Sequence, residues 1–458
     1  MVFSSITFLL YFFPLVWIVY RLVPKAAKNA VLVAASLIFY AWGEPVYLLL
    51  MLLSIGMNYL FGRLIDRARG EGMKPGWLRF HLAMAVAANL GFLAFFKYAG
   101  FLFSVFSPQN APAIALPVGI SFYTFQALSY VVDVYREKVK PRREILSFAL
   151  YISFFPQLIA GPIVQYKVIE AQLDDHPGGK KMFSSGLWLF VWGLAKKVLI
   201  ANTMGEMFEL VRQGGTGGPL MAWLGALAFT LQIYYDFSGY SDMAIGIGRM
   251  FGFQFPKNFD APYTSKSITE FWRRWHMTLG SWFREYVYIP LGGNRVTVAK
   301  HIRNLLIVWI LTGIWHGAGW NFLLWGLYYA IWLIVEKYLI GEWLEKHQII
   351  ARIYTGLVVI IGWMIFAITD MGELGRYLLS MIGVPYGTGS ATFRQILTSY
   401  GAIMAIGAVG LIPAVSDLRK VVYSRSKILT FVIELILMVL CVAALIRDSY
   451  NPFLYFRF

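Results

Sequence analysis

Two histidines occupy the most unusual surroundings in the chain, and an imidazole, with an ordinary pKa of about 6.5, suits general base work at neutral pH. His316 closes an apolar run in LTGIWHGAGWNF (311–322). On a helix it has Thr312 and Gly313 one turn behind and Gly319 and Trp320 one turn ahead. These small residues predict open space beside the ring, and so substrate access. The competing reading is an interfacial histidine that ends a span and bonds a carbonyl. His276 stands in EFWRRWHMTLGSWFREYVYIPLGG (270–293), with Arg273 one turn before and Gly280 one turn after. It falls at the border of an apolar and a polar face, where a surface helix often directs a histidine to lipid headgroups.

The two histidines lie 40 residues apart without HExxH or a nearby carboxylate at ligand spacing, so no metal is expected. GxSxG is missing, and the glycines of 239–252 follow no strand, which removes the hydrolase-elbow and dinucleotide readings. Asp236 and Asp242 are expected to brace a broken helix or line a tunnel, the structural role being preferred. His81, His176, His301 and His347 read as solvated or interfacial. Cys441, the single cysteine, reads as a small packing residue.

The elements that position these groups must be membrane helices. Of 458 residues, 59% are hydrophobic and 14% charged, against about 25% charged in a soluble domain. Apolar runs long enough to cross a hydrocarbon layer recur from end to end, so the expected fold is all-α and polytopic, with about 11–12 transmembrane helices. One domain over 1–458 is the simplest division: amino-terminal spans (1–144), broken and spanning helices (145–253), a motif region (254–338) and carboxy-terminal spans (339–458). Met1–Tyr20 reads as an uncleaved first span. FFPQLIAGP (154–162) predicts a broken or re-entrant helix facing an internal chamber.

The net charge of +16 is concentrated in loops 21–28, 63–79 and 135–144 and in residues 255–303. The positive-inside rule therefore predicts cytoplasmic loops and an extracytoplasmic amino terminus; nucleic acid drops out as a partner. Within 255–303, Ile268, Phe271, Trp275, Leu279, Trp282, Tyr286 and Ile289 recur at steps of three or four. They predict one amphipathic helix at the membrane surface. Arg273, Arg274 and Arg284 lie off that stripe, where they suit either donor phosphates or anionic lipid.

YSDMAIGIGRMFGF, NFDAPY, FWRRWHMTLGSWFREYVYIPLGGNR and TGIWHGAGWNF together resemble the membrane-bound O-acyltransferase (MBOAT) family. MVFSS at the start and YNPFLYFRF at the end are similar to its alginate O-acetyltransferase branch. The resemblance implies tilted helices around a central tunnel, with His316 catalytic and His276 its partner; some eukaryotic members carry Asn at the second position, which implies a positioning role. Arg273, Trp275, Trp315 and Asn321 are the expected substrate-binding residues. The resemblance further implies a cytoplasmic acetyl-CoA or acyl-carrier thioester as donor substrate, with no permanently bound cofactor. It also implies an extracytoplasmic SGNH-hydrolase-like acetyltransferase partner and a polysaccharide acceptor such as alginate or peptidoglycan, in a bacterial cytoplasmic membrane. YIPLGGNR (288–295) favours acetylation over the D-alanyl transfer of teichoic acid. A non-catalytic lipid or sugar transporter is the reading from a different class, against which stands the lack of a visible inverted repeat.

Overall fold

The computed structural model describes residues 1–107, 112, 114–159, 161–384, 386–389, 391–447 and 454. Of the closing YNPFLYFRF, Leu454 alone falls among them. The regular elements of the described residues are all helical, apart from one isolated bridge between Gly215 and Gly387. Two compact units emerge: Met1–Phe190 with Ser241–Pro256, and Val191–Tyr240 with Lys257–Phe458.

The first unit contains α1 (Phe13–Leu22), α2 (Lys28–Ala41), α3 (Leu48–Gly70), α4 (Pro75–Phe106) and α5 (Ile120–Tyr135). It continues with α6 (Ile145–Ser153), α7 (Phe155–Leu158), α8 (Tyr166–Ile169) and the start of α9 (Lys180–Ala195). Buried Asn58 and Asn89 exchange amide hydrogen bonds of 3.1 and 2.7 Å, tying α3 to α4. Hydrocarbon offers an amide no water, so such a reciprocal pair fixes how two spans meet. The predicted break occurs: Phe154 leaves helical backbone (φ −53°, ψ 111°), and α7, with Pro156 in its first turn, is buried. The freed backbone groups thus face protein.

The second unit carries the end of α9, a π-helical turn (Lys196–Ala201), α10 (Asn202–Arg212) and most of α11 (Pro219–Met250). Then come α12 (Ile268–Arg274), α13 (Met277–Phe283), α14 (Val298–His316), α15 (Trp320–Val335) and α16 (Gly341–Lys346). The unit closes with α17 (Gln348–Ala367), α18 (Met371–Met381), α19 (Phe393–Gly410), α20 (Pro413–Arg425) and α21 (Lys427–Arg447). Among the described residues, seven helices are long and apolar enough to cross a membrane, and α19 with α20, bent by 79°, makes an eighth if taken as one span. This is a multi-pass membrane protein. Phe8–Leu22 is a shorter apolar helix, and α11, although 32 residues long, is not among the seven.

Two expectations change. The stripe from Ile268 to Ile289 is not one helix: α12 ends at Arg274, Trp275 is extended, α13 restarts at Met277, and a π-helical turn covers Arg284–Tyr288. Its residues through Trp282 are nonetheless buried, while Ile289 is 55% exposed. His301 is not solvated either. The first turns of α14 bury it between the hydroxyls of Tyr288 (2.8 Å from Nε2) and Tyr338 (2.6 Å from Nδ1).

Candidate active site

α14 and α15 form a hairpin whose backbones nearly touch, and this approach places His316. A Cβ on Gly313 would collide with the Phe322 carbonyl oxygen, and one on Gly326 with the Trp309 carbonyl oxygen. Without side chains at these two contacts, van der Waals packing between the helices is maximal. His316 is the last residue of α14, and the chain turns through Gly317–Gly319 into α15. The expected space beside the imidazole is therefore filled. Gly313 and Gly317 admit Phe322 rather than substrate, and the ring lies against Trp325 (5.0 Å between centroids), Phe366 (5.3 Å) and Trp315 (4.9 Å).

A small cavity remains on another side of His316. It measures about 20 Å³, room for about one water. Its walls come from α11 (Ile233, Asp236, Phe237), Trp275, Trp325, α17 (Trp363, Phe366) and Leu454. Among the described residues, Asp236 and His316 are the two ionisable side chains in that lining. A far larger crevice of about 1200 Å³ runs beside α9, α10, α19 and α21, but neither histidine lines it. Size alone thus points away from both histidines.

His276 owes its position to one asparagine. The residue sits in left-handed backbone (φ 45°, ψ 51°), a conformation rare outside glycine that His tolerates better than most. Buried Asn258 holds it there. The Asn258 backbone oxygen accepts from Met277 N–H (2.9 Å), while its Oδ1 accepts from Thr278 N–H (3.3 Å) and the Thr278 hydroxyl (2.9 Å). The same Oδ1 lies 3.1 Å from His276 Nδ1. An oxygen already facing an amide N–H can only accept, so Nδ1 carries the proton and Nε2 keeps its lone pair. Burial pushes the His276 imidazole down to about 3, which holds it neutral.

The other expected site residues separate. Trp275 lines the His316 cavity. Trp315 packs against both histidines, 6.1 Å from His276 and 4.9 Å from His316 by ring centroids. Asn321 is fully buried and donates from Nδ2 to the carbonyls of Ile365 (3.3 Å) and Phe366 (3.2 Å), holding the end of α17 against His316. Arg273 and Arg284 are exposed, outside the cavity, and Arg274 pairs with Glu270 at 2.8 Å. Sequence reasoning missed Asn258, Lys197 and Phe366. The NFDAPY segment was the available signal for the first.

The chain around this geometry matches the profile of the membrane-bound O-acyltransferase family over residues 142–370, which includes both histidines. Over its full length it is 36% identical to the full length of "Probable alginate O-acetylase AlgI" of Pseudomonas putida. The chain belongs to the membrane-bound O-acyltransferase family. Other similar members are the peptidoglycan O-acetyltransferase of Helicobacter pylori, 35% identical over 84% of this chain and 80% of that one, and the teichoic acid D-alanyltransferase of Bacillus subtilis, 25% identical over 63% and 80%. As an O-acyltransferase, this protein needs a base for a hydroxyl and a place shielded from water. His316 is a buried imidazole on an aromatic-walled cavity.

Proposed function

We propose that this O-acyltransferase moves an acetyl group from a cytoplasmic thioester, acetyl-CoA or an acyl carrier, towards hydroxyls of an extracytoplasmic polysaccharide. His316 takes the proton of the attacking hydroxyl, the oxygen adds to the thioester carbonyl, and the sulfur leaves with the proton returned to it. The observation that carries this reading is the burial of His316 on a water-sized, aromatic-walled cavity that Asp236 also lines. His276, neutral and oriented by Asn258, positions Trp315 and the reacting group rather than acting as an obligatory base. Acetyl is favoured over D-alanyl by the relatives: those named for acetylation share 35% and 36% identity against 25% for the D-alanyltransferase. The acceptor is alginate, peptidoglycan or a similar polymer, reached through an SGNH-hydrolase-like partner. The basic loops support an extracytoplasmic amino terminus in a bacterial cytoplasmic membrane.

The test is His316→Ala in purified protein reconstituted with labelled acetyl thioester, with the thermal midpoint measured in parallel. Transfer is expected to fall by at least about a hundredfold while the fold persists. Transfer at the wild-type rate in a folded variant refutes the assignment.

A further inference from the structure

We infer that the buried Lys197–Asp236 ion pair is a positioning device for His316: a fixed dipole whose negative end faces the cavity and stabilises the imidazolium formed when His316 accepts a proton. The inference rests on the acyl-transfer reading above and adds two residues to it.

Asp236 Oδ1 lies 2.8 Å from Lys197 Nζ, and each side chain is 2% exposed. Asp236 Oδ2 accepts from the Leu454 backbone N–H at 2.9 Å. Asp236 reaches the cavity wall that His316 shares, whereas Lys197 does not line it. The acidic member of the pair is therefore on the cavity wall and the basic member off it. A π-helical turn creates this arrangement. Residues five apart superpose there, so Asn202 N–H bonds the Lys197 carbonyl and Asn202 Oδ1 accepts from Lys197 Nζ at 2.8 Å. Lys196, one residue earlier, is sent elsewhere and lies 6.0 Å from the Tyr234 ring centroid. Such turns are rare and recur at functional sites.

Stability alone is a weak reason for the pair, because a well-packed apolar substitute of similar volume is often as stable or more so. Ionisable groups within a membrane segment instead mark function. When His316 takes a proton, a cation forms beside Trp315, Trp325 and Phe366, rings that carry no charge. His276, which packs against Trp315, is held neutral. Among the described residues lining the cavity Asp236 is the charged group, in place before the reaction, which is the arrangement that lowers a barrier most.

The experiment compares Asp236→Asn, Asp236→Glu, Lys197→Met and the double variant Asp236→Asn/Lys197→Met in reconstituted full-length protein. For each, kcat and KM for labelled acetyl-CoA are measured beside the thermal midpoint. Asp236→Asn should lower kcat by at least about tenfold with little change in KM, since the lost interaction exists only in the transition state. The double variant, free of an uncompensated buried charge, should recover the thermal midpoint but not kcat. Asp236→Glu keeps the charge and should transfer faster than Asp236→Asn even where it is no more stable. Recovery of wild-type kcat in the double variant, or equal loss in Asn and Glu variants, overturns the inference. Transfer surviving in His316→Ala overturns the acyl-transfer assignment instead, whatever the pair does.

Discussion

Replacing Asn258 by alanine removes one oxygen on which three donors converge. The Thr278 hydroxyl can rotate towards another acceptor, but His276 Nδ1–H and Thr278 N–H are fixed by ring and backbone, and both residues are buried. A buried donor left without an acceptor costs about 1–3 kcal/mol. Two of them, less some recovery by small shifts, give an expected loss of about 2–4 kcal/mol. The Asn258 backbone oxygen still accepts from Met277 N–H, so α13 should persist while His276 loses its tautomer and orientation. Asn258→Asp keeps an oxygen at the same place for every donor and is the informative control. Thermal unfolding in detergent at neutral pH reads the stability, and acetyl transfer by the same preparation reads the site. Alanine should lower the midpoint and cut transfer by at least about tenfold, a factor worth about 1.4 kcal/mol, with aspartate closer to wild type on both measures. The reasoning fails if alanine leaves stability within about 0.5 kcal/mol of wild type, or if aspartate is as damaging as alanine.

Two further outcomes follow from the same geometry. An unfolded chain binds a proton at histidine near pH 6.5, whereas burial keeps His276 unprotonated down to about 3, so the unfolded state holds more protons between those values. Stability should therefore fall with acidification below about pH 6.5, by about 1.4 kcal/mol per pH unit from His276 alone, and a midpoint slope unchanged in His276→Gln counts against that burial. Gly313→Ala places a methyl against the Phe322 carbonyl oxygen, and overpacking of this kind costs about 1–3 kcal/mol. A Gly313→Ala protein with an unaltered midpoint would mean that α14 and α15 are not so closely packed.

The place of His316 in the fold could be read from residue types alone. An apolar run followed by Gly317 and Gly319 marks a helix end, and His316 is the last residue of α14. Its surroundings were misread for a physical reason: a glycine beside a side chain leaves room, but sequence does not say what enters it, and Phe322 does. The helix break at Trp275 and His276 was hidden because apolar steps of three and four continue across it. Periodicity records which faces are buried and is blind to a single residue in left-handed backbone. NFDAPY marked the segment of Asn258, but not its role, which depends on a return of the chain that brings it beside Thr278, 20 residues on. Lys197 escaped notice for a related reason. A π-helical turn shifts the phase of the helix, so ordinary helical spacing assigns it no link to Asn202.

The backbone at His276 imposes a requirement separate from its ring. With φ at 45°, β-branched side chains are strained there, and long ones gain nothing from fitting. The position also faces the Asn258 side-chain oxygen, which can only accept, so a side chain reaching it must donate. Few residue types meet both conditions: histidine does so through its ring N–H, and asparagine, at ease in left-handed backbone, through its amide. Position 276 thus acts as a filter on inheritance, passing substitutions by backbone tolerance first and chemistry second, and a variant alphabet narrowed to these types need not signal proton transfer there.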